Sequence, residues 1–530
     1  MRPLTQTKLI LYTLLFITLF NNYRFFKNLL EVYPLATNIG FILSLITVMV
    51  AIALLLFTLV RSKYTTKPLL IFTLIISSLT GYFMNSYNII VDDDMIRNLL
   101  QTNIDESMDL ITLKEILYLI FLGILPSYIV YKSEIKYFNF KEEFYSKLKV
   151  IGVSSITIII AFLLFSAHYT SFLREHKPLR YSVNPTYWIY NIGKYISSSF
   201  EQNSKTIKPI GKDATIAETD TLPKLVIMVV GEAVRADHFS LNGYQRKTNP
   251  LLEKTSIINF SNFSSCGTST AISVPCMFSS YGRKEFDYKK GRYSENILDI
   301  LKRTQKVDIL WRDNNSDSKG VALRVPYQSY KTDKINTICD KEECRDEGML
   351  VGLDNYIQEH QQKNILIVLH QMGNHGPAYY RRYPKGYELF KPTCKSNQLE
   401  SCSKEQITNA YDNSILYTDY FLSQTIQLLE KYNQSHKTAM IYMSDHGESL
   451  GENGIYLHGL PYFIAPQAQT HIPALIWLGE ESKKVLNITS IQRAKKKPYT
   501  HDNLFHTLLA LFDVETSIYN EKLNLLPKKD

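Results

Sequence analysis

Several side chains suited to metal ions or phosphate lie just beyond short apolar runs. Glu232 follows LVIMVVG, and His375 follows NILIVLHQMGN. Asp445 and His446 follow TAMIYMS, with His458 twelve residues further on in Y-L-H-G. Carboxylate and imidazole together suit zinc, which takes four N/O ligands and tolerates an exchangeable position. Any one of these histidines alone would be an ordinary core or surface residue. The set (V-G-E-x-x-R, N-H-G-P, S-D-H-G-E-S-L-G and Y-L-H-G) points to a metal centre.

A nucleophile is readable in SCGTSTAISVPCMFSS. Small residues lead into Thr270, and AISVPCMF can open a helix. A hydroxyl there meets exposed backbone N–H groups and the positive end of the helix dipole, a good cradle for phosphate. Zinc on the Thr270 oxygen would lower its pKa and activate it at neutral pH. A plain helix cap is the competing role for Thr270. On spacing alone Thr268, Ser269 and Ser273 compete for the nucleophile's place. A bridge from Cys266 to Cys276 would brace this segment.

These residues need a frame. LVIMVVG, KVDILWRDNN, NILIVLH and TAMIYMS read as strands buried on both faces, and helical stretches separate them. That predicts an α/β domain over 223–530 with a mainly parallel sheet. Sites in such sheets form beyond the carboxyl ends of the strands.

The first half is of another kind. Apolar segments at roughly 9–26, 39–61, 68–90, 113–131 and 150–168 predict a five-helix membrane domain over 1–168. The second, IGFILSLITVMVAIALLLFTLV, is long enough to cross a ~30 Å hydrocarbon core. Lys132, Lys136, Lys141, Lys147 and Lys149 fill one loop, and Arg61, Lys63 and Lys67 fill a turn. The opposite loop, 91–112, opens on Asp92, Asp93 and Asp94. The basic loops and the N-terminus are therefore expected in the cytoplasm and everything after 168 outside it. Residues 169–222 connect the halves. YWIYNIGKYISSSF is an amphipathic stretch suited to the membrane interface or to packing on the soluble domain, and KPIGKDATIAETDTLP is a polar boundary. All six cysteines lie between Cys266 and Cys402. Nearest-neighbour pairing (Cys266–Cys276, Cys339–Cys344, Cys394–Cys402) is the simplest connectivity, and disulfides need an oxidising compartment. The formal charge is +9. No nucleic-acid motif accompanies it; part of the excess sits beside the membrane segments, where topology explains it, and for the rest a solvated basic surface competes with an anionic membrane or substrate as partner.

The motifs G-E-A-V-R-A-D-H-F-S-L-N-G-Y, S-C-G-T-S-T-A-I-S-V-P-C-M-F-S, W-R-D-N-N-S-D-S-K-G, H-Q-M-G-N-H-G-P-A-Y-Y and S-D-H-G-E-S-L-G-E-N-G-I-Y-L-H-G resemble those of the lipid A phosphoethanolamine transferases, a group that includes the mobile colistin-resistance enzymes. The resemblance runs over nearly the whole chain. It implies an alkaline-phosphatase-like α/β/α sandwich behind a helical membrane domain. It implies a zinc held by Glu232, Thr270, Asp445 and His446, with Thr270 as the nucleophile. His375 and His458 match positions that bind the phosphate or a second zinc, and either is a candidate proton donor. Asn315, Ser316 and Lys319 match the donor head-group pocket. The same three disulfides are implied, although the Cys339–Cys344 loop is shorter than the family pattern.

The implied reaction moves phosphoethanolamine from phosphatidylethanolamine to a lipid A phosphate through a phosphoethanolamine-Thr270 intermediate. A monomer in the bacterial inner membrane with a periplasmic catalytic domain is expected, and with it polymyxin resistance. The alternatives are a transferase acting on lipopolysaccharide core sugars and a glycerol-phosphate polymer synthase. A sulfatase would need a formylglycine precursor (C/S-x-P-x-R), which the Thr270 segment lacks. Intact ligand motifs speak against a non-catalytic scaffold.

Overall fold

The computed structural model describes residues 3–101, 110–174, 176–200, 206–217, 222–340 and 343–529. Parts of the expected 91–112 loop and of the polar boundary before Pro223 lie outside the described residues. The chain forms two compact units. One comprises Met1–Ile96 and Ile111–Ser199, the other Arg97–Leu110 and Phe200–Asp530.

The first unit is helical. Its principal helices are α1 (Gln6–Phe20), α2 (Tyr23–Val32), α3 (Leu35–Val60), α4 (Thr66–Tyr87), α5 (Leu113–Lys132), α6 (Phe140–Leu164) and α7 (Thr186–Phe200). Among the described residues α3, α4, α5 and α6 are each long and apolar enough to cross a membrane. The fifth expected span, 9–26, is not one straight helix. It breaks between α1 and α2, which meet at 61° and pass as a span only together. The cause is a pair of asparagines inside the apolar run. Asn22 Nδ2 donates to Ile17 O at 3.1 Å and to Asn184 O at 2.8 Å, while Asn22 Oδ1 accepts the Asn184 N–H at 2.8 Å. A side chain that bonds main chain on two sides supplies partners for the backbone groups that the break frees. α6 opens with a capping box made by Asn139 and Glu142, a strong start signal. Further along, its Ile156, Ile159, Ile160 and Leu163 are well exposed, as expected of side chains that face lipid. The amphipathic stretch near residue 190 is α7, and it belongs to this unit.

The second unit is built on a seven-stranded sheet. In chain order the strands are β1 (Lys224–Gly231), β2 (Ile257–Asn259), β3 (Val307–Asp313), β4 (Tyr327–Ser329), β5 (Asn364–His370), β6 (Lys437–Ser444) and β7 (Ala474–Leu478). Their spatial order is β2-β7-β6-β1-β5-β3-β4. β6, β1, β5, β3 and β4 run parallel, while β7 and β2 form an antiparallel edge. The four strands read from sequence are the central ones. Their continuous Val, Ile, Leu and Met runs are buried on both faces. The three outer strands are short: β2 and β4 have three residues each and carry little sequence signal, and β7 is a five-residue apolar run, ALIWL. α8 (Thr270–Met277) and α10 (Asp502–Leu511) cover one face. Val274, Met277, Leu504, Phe505 and Leu508 pack there with Val226, Met228, Val230, Leu366, Val368, Ile441 and Met443. Alternate strand residues turn to the other face, where α9 (Lys404–Glu430) lies against β6. The parallel order places the carboxyl ends of β1, β3, β5 and β6 side by side.

Candidate functional site

β1 ends at Gly231, and the next residue, Glu232, is fully buried. β6 ends at Ser444, followed by Asp445 and His446, both also fully buried. β1 and β6 are direct neighbours in register, Gly231 opposite Ser444, so the three side chains meet. His446 Nε2 lies 3.4 Å from Glu232 Oε1 and 3.4 Å from Asp445 Oδ2. His446 Nδ1 is 2.8 Å from Gly447 O. A carbonyl only accepts, so Nδ1 carries the hydrogen and Nε2 turns a lone pair on the cluster. Asp445 Oδ1 accepts the N–H groups of Ala233 and His446 at 3.1 and 2.7 Å. Asp445 Oδ2 is enclosed and makes no hydrogen bond.

The turn after β1 is tightly built. Ala233 has φ +58°, a left-handed conformation rare for a residue with a side chain. The Tyr411 hydroxyl holds it, donating to Ala233 O at 2.7 Å and accepting the Arg235 N–H at 3.0 Å. Gly373, with φ +51°, packs on the same turn; a Cβ there would stand 3.0 Å from Glu232 O.

Thr270 opens α8 from the opposite wall. The residue capping the helix is Ser269, whose side chain makes no capping bond, so Thr270 is the first helical residue and not the cap. Its Oγ1 donates to Glu232 Oε2 at 3.0 Å and lies 3.4 Å from His446 Nε2. Two of the neighbouring hydroxyls are turned elsewhere. Thr268 Oγ1 donates to Leu460 O at 2.6 Å, and Ser273 Oγ accepts the Gly267 N–H at 2.8 Å. The Cys266–Cys276 disulfide brackets the segment, and Cys339–Cys344 and Cys394–Cys402 are also bridged.

This donor set fits a small divalent cation. Glu232, Asp445 and His446 each offer one ligand atom, all within 4.8 Å of one another and all buried. Two buried carboxylates so close repel unless a positive charge lies between them.

His375 and His458 flank the cluster. The His458 ring centroid is 4.2 Å from that of His446 and 5.6 Å from that of His375. Burial, with His458 and Arg382 nearby, holds His375 well below the ordinary histidine range. Asn315 joins the acids directly, its Nδ2 donating to Glu232 Oε2 and to Gln371 O, both at 2.8 Å. Ser316 joins the acids through Asn315, its Oγ donating to Asn315 Oδ1 at 3.0 Å, while Lys319 makes no described hydrogen bond to them. Lys319 Nζ instead donates to Ser316 Oγ at 2.5 Å and Gln101 O at 3.4 Å. It lines a cavity of about 210 Å³ with Gln101, Tyr288, Pro275 and Ser279.

Two groups escaped the sequence reading. Glu448 sits behind His458, their nearest atoms 2.8 Å apart. His501 ties the two walls together: its Nδ1 accepts the Cys266 N–H at 3.0 Å and its Nε2 donates to Ser444 O at 2.9 Å. A lone histidine more than two hundred residues from its partner leaves no local signal. Burial pushes His501 from its usual 6.5 down to about 4, against the pull of Ser444 O and Asp445. The ring must be neutral to accept from Cys266. The stability this provides is therefore complete above about pH 6.5 and is lost as pH falls toward 4, roughly 3 kcal/mol in all. Thermal unfolding of the full-length protein between about pH 7 and pH 5 should show roughly 2 kcal/mol of that loss, and His501→Gln should flatten it. An unchanged pH slope in the variant would remove His501 from the account.

The sequence matches two family models: "Phosphoethanolamine transferase EptA/EptB" over residues 49–200 and "Sulfatase" over residues 224–514. It is 45% identical to the phosphatidylethanolamine transferase Mcr-1 of Escherichia coli, over 94% of this chain and 93% of that protein. It is 37% identical to the phosphoethanolamine transferase EptA of E. coli K12, over 96% and 94% of the two chains. The fold superposes on the integral membrane lipooligosaccharide phosphoethanolamine transferase A of Neisseria meningitidis with a TM-score of 0.94 and 33% identity, covering 99% of both chains.

Proposed function

Because the chain belongs to the EptA-type phosphoethanolamine transferases of the alkaline phosphatase superfamily, we propose that it transfers phosphoethanolamine from phosphatidylethanolamine to a phosphate group of lipid A through a covalent intermediate on Thr270. The observation that carries this is the Thr270 hydroxyl. It stands at a helix start, 3.0 Å from one buried carboxylate and 3.4 Å from a ring nitrogen, on the wall facing the strand ends.

In the first step Thr270 Oγ1 attacks the donor phosphorus and the bond to the glycerol oxygen breaks. Diacylglycerol leaves with a proton, and phosphoethanolamine stays on Thr270. In the second step a lipid A phosphate oxygen attacks the same phosphorus, the bond to Oγ1 breaks, and the hydroxyl returns. Glu232 Oε2 takes the hydroxyl hydrogen bond and so aims an oxygen lone pair away from itself, while Asn315 holds that carboxylate in place. A zinc ion held by Glu232, Asp445 and His446, with Thr270 beside it, would supply neutralisation of the charge on the transferring group. His375 and His458 flank the phosphate, and Lys319 with Ser316 meets the donor head group from its own cavity. A threonine cannot become formylglycine, which disfavours sulfate-ester hydrolysis at this centre.

In this reading residues 1–168 carry the membrane spans, 169–222 connect them to the rest, and 223–530 form a periplasmic catalytic domain tethered to the inner membrane. Three bridged cysteine pairs suit that oxidising side. Both substrates are lipids, so a tethered monomer meets them in the plane of the bilayer. Adding an ethanolamine cation to a lipid A phosphate lowers its pull on cationic peptides such as polymyxin.

The test uses the full-length protein in vesicles with labelled phosphatidylethanolamine. Without acceptor, a burst of diacylglycerol near one equivalent per enzyme is expected, and added lipid A should make release continuous. Phosphatidic acid in place of diacylglycerol would place the cleavage on the other side of phosphorus and overturn the scheme.

A further inference from the structure

Glu448 has no part in the mechanism above, yet it is fully buried and both its carboxylate oxygens are engaged. Oε2 lies 2.8 Å from His458 Nδ1, and Oε1 accepts the Tyr379 hydroxyl at 2.7 Å. The Glu448 main-chain carbonyl accepts Arg235 Nη1 at 3.2 Å. The N-H-G-P turn makes room for the pair. A Cβ on Gly376 would stand 2.5 Å from Glu448 Oε1 and 2.7 Å from the Tyr379 hydroxyl. Burial beside Glu448 holds the Tyr379 phenol in its protonated, donating form.

A carboxylate oxygen is an acceptor, so this contact seats a hydrogen on His458 Nδ1 and leaves Nε2 as the ring nitrogen with no part in it. His375 has no such tether, since its Nδ1 is buried without a hydrogen bond. Of the two flanking histidines, only His458 has its Nδ1 hydrogen-bonded to a carboxylate. We propose that Glu448 is a positioning residue for the transfer, fixing the Nδ1–H form and ring plane of His458 so that Nε2 meets the transferring phosphate group, and that Tyr379 in turn holds Glu448. This rests on the transfer reading of the same site. Carboxylates that orient a working imidazole are common devices, worth about 10–100-fold in activity when removed.

The test is a double-mutant cycle on the full-length enzyme in phosphatidylethanolamine vesicles with lipid A. Glu448→Ala should lower kcat by about 10–100-fold with KM nearly unchanged. Glu448→Gln, which still offers an oxygen to Nδ1–H, should recover much of that. In a His458→Asn background, Glu448→Ala should cost less than about twofold more, because the ring it orients is gone. Tyr379→Phe should give a smaller loss that also disappears without His458. It stands in for the alanine variant if that one does not fold. Equal fold-losses with and without His458 would overturn the proposal. Thr270→Ala runs in parallel: transfer surviving in that variant would refute the transfer reading itself, whatever the cycle shows.

Discussion

Thr270→Ala should abolish phosphoethanolamine addition to lipid A, a loss on the order of 10⁴-fold or more, as for other covalent nucleophiles. Mass spectrometry of lipid A from cells expressing the two forms should show the added phosphoethanolamine mass with the wild type and none with the variant. The fold gives the substitution little else to damage. Thr270 is the first residue of α8 and its hydroxyl contacts only the acid cluster, Glu232 at 3.0 Å and His446 at 3.4 Å. Ser269 provides the cap position, so the helix start survives. Of the neighbouring hydroxyls, Thr268 and Ser273 are committed to Leu460 and Gly267. Thr270→Ser keeps an oxygen at the same place and should retain measurable transfer. Equal modification by wild type and Thr270→Ala would remove this residue from the mechanism.

Removing divalent metal should have the second largest effect. Glu232 and Asp445 are both fully buried on adjoining strand ends, and Asp445 Oδ2 makes no hydrogen bond. A cation held there offsets two carboxylate charges in a buried site, where solvent screens them weakly. Dialysis of the full-length protein against a strong chelator should stop transfer, and zinc should restore it. The melting temperature should fall by roughly 5–10 °C, because a bound ion stabilises only the folded state. Asp445→Asn deletes one donor charge while keeping the shape, and its Oδ1 position can still accept from Ala233 and His446. Losing an orienting neighbour of a ligand costs about 10–100-fold, so losing a ligand should weaken zinc binding by more than about 100-fold. Full activity and an unchanged melting temperature after exhaustive chelation would refute a metal role at this cluster.

The motif segments could be read because their signals are local. A run such as LVIMVVG followed by Glu232 marks a buried strand and its polar end within eight residues. A long uncharged run such as α3 identifies itself by length alone. The α1–α2 break was less legible. Asn21 and Asn22 interrupt the apolar run in plain view, but the bend depends on Asn184, whose N–H and carbonyl bond the Asn22 side chain from 162 residues away. β2 and β7 were missed for different reasons: β2 is a three-residue edge strand that takes its conformation from the neighbour it pairs with, while the five-residue apolar run of β7 is too short to be told from a buried helix segment by pattern alone.

Composition and spacing alone established two kinds of chain, apolar spans and a parallel α/β domain, and put acids, imidazoles and a hydroxyl at the ends of particular strands and one helix. Those properties depend on whether each few residues partition into water or away from it. Tertiary structure decided that the Thr270 hydroxyl faces the acids while those of Thr268 and Ser273 turn elsewhere, because that needs β1 and β6 adjacent and α8 across from them. It also decided that Lys319 looks into its own cavity, that Glu448 backs His458, and that His501 spans 235 residues of sequence to reach Cys266. Such contacts arise from the order of strands in the sheet, and chain connectivity carries no local trace of that order.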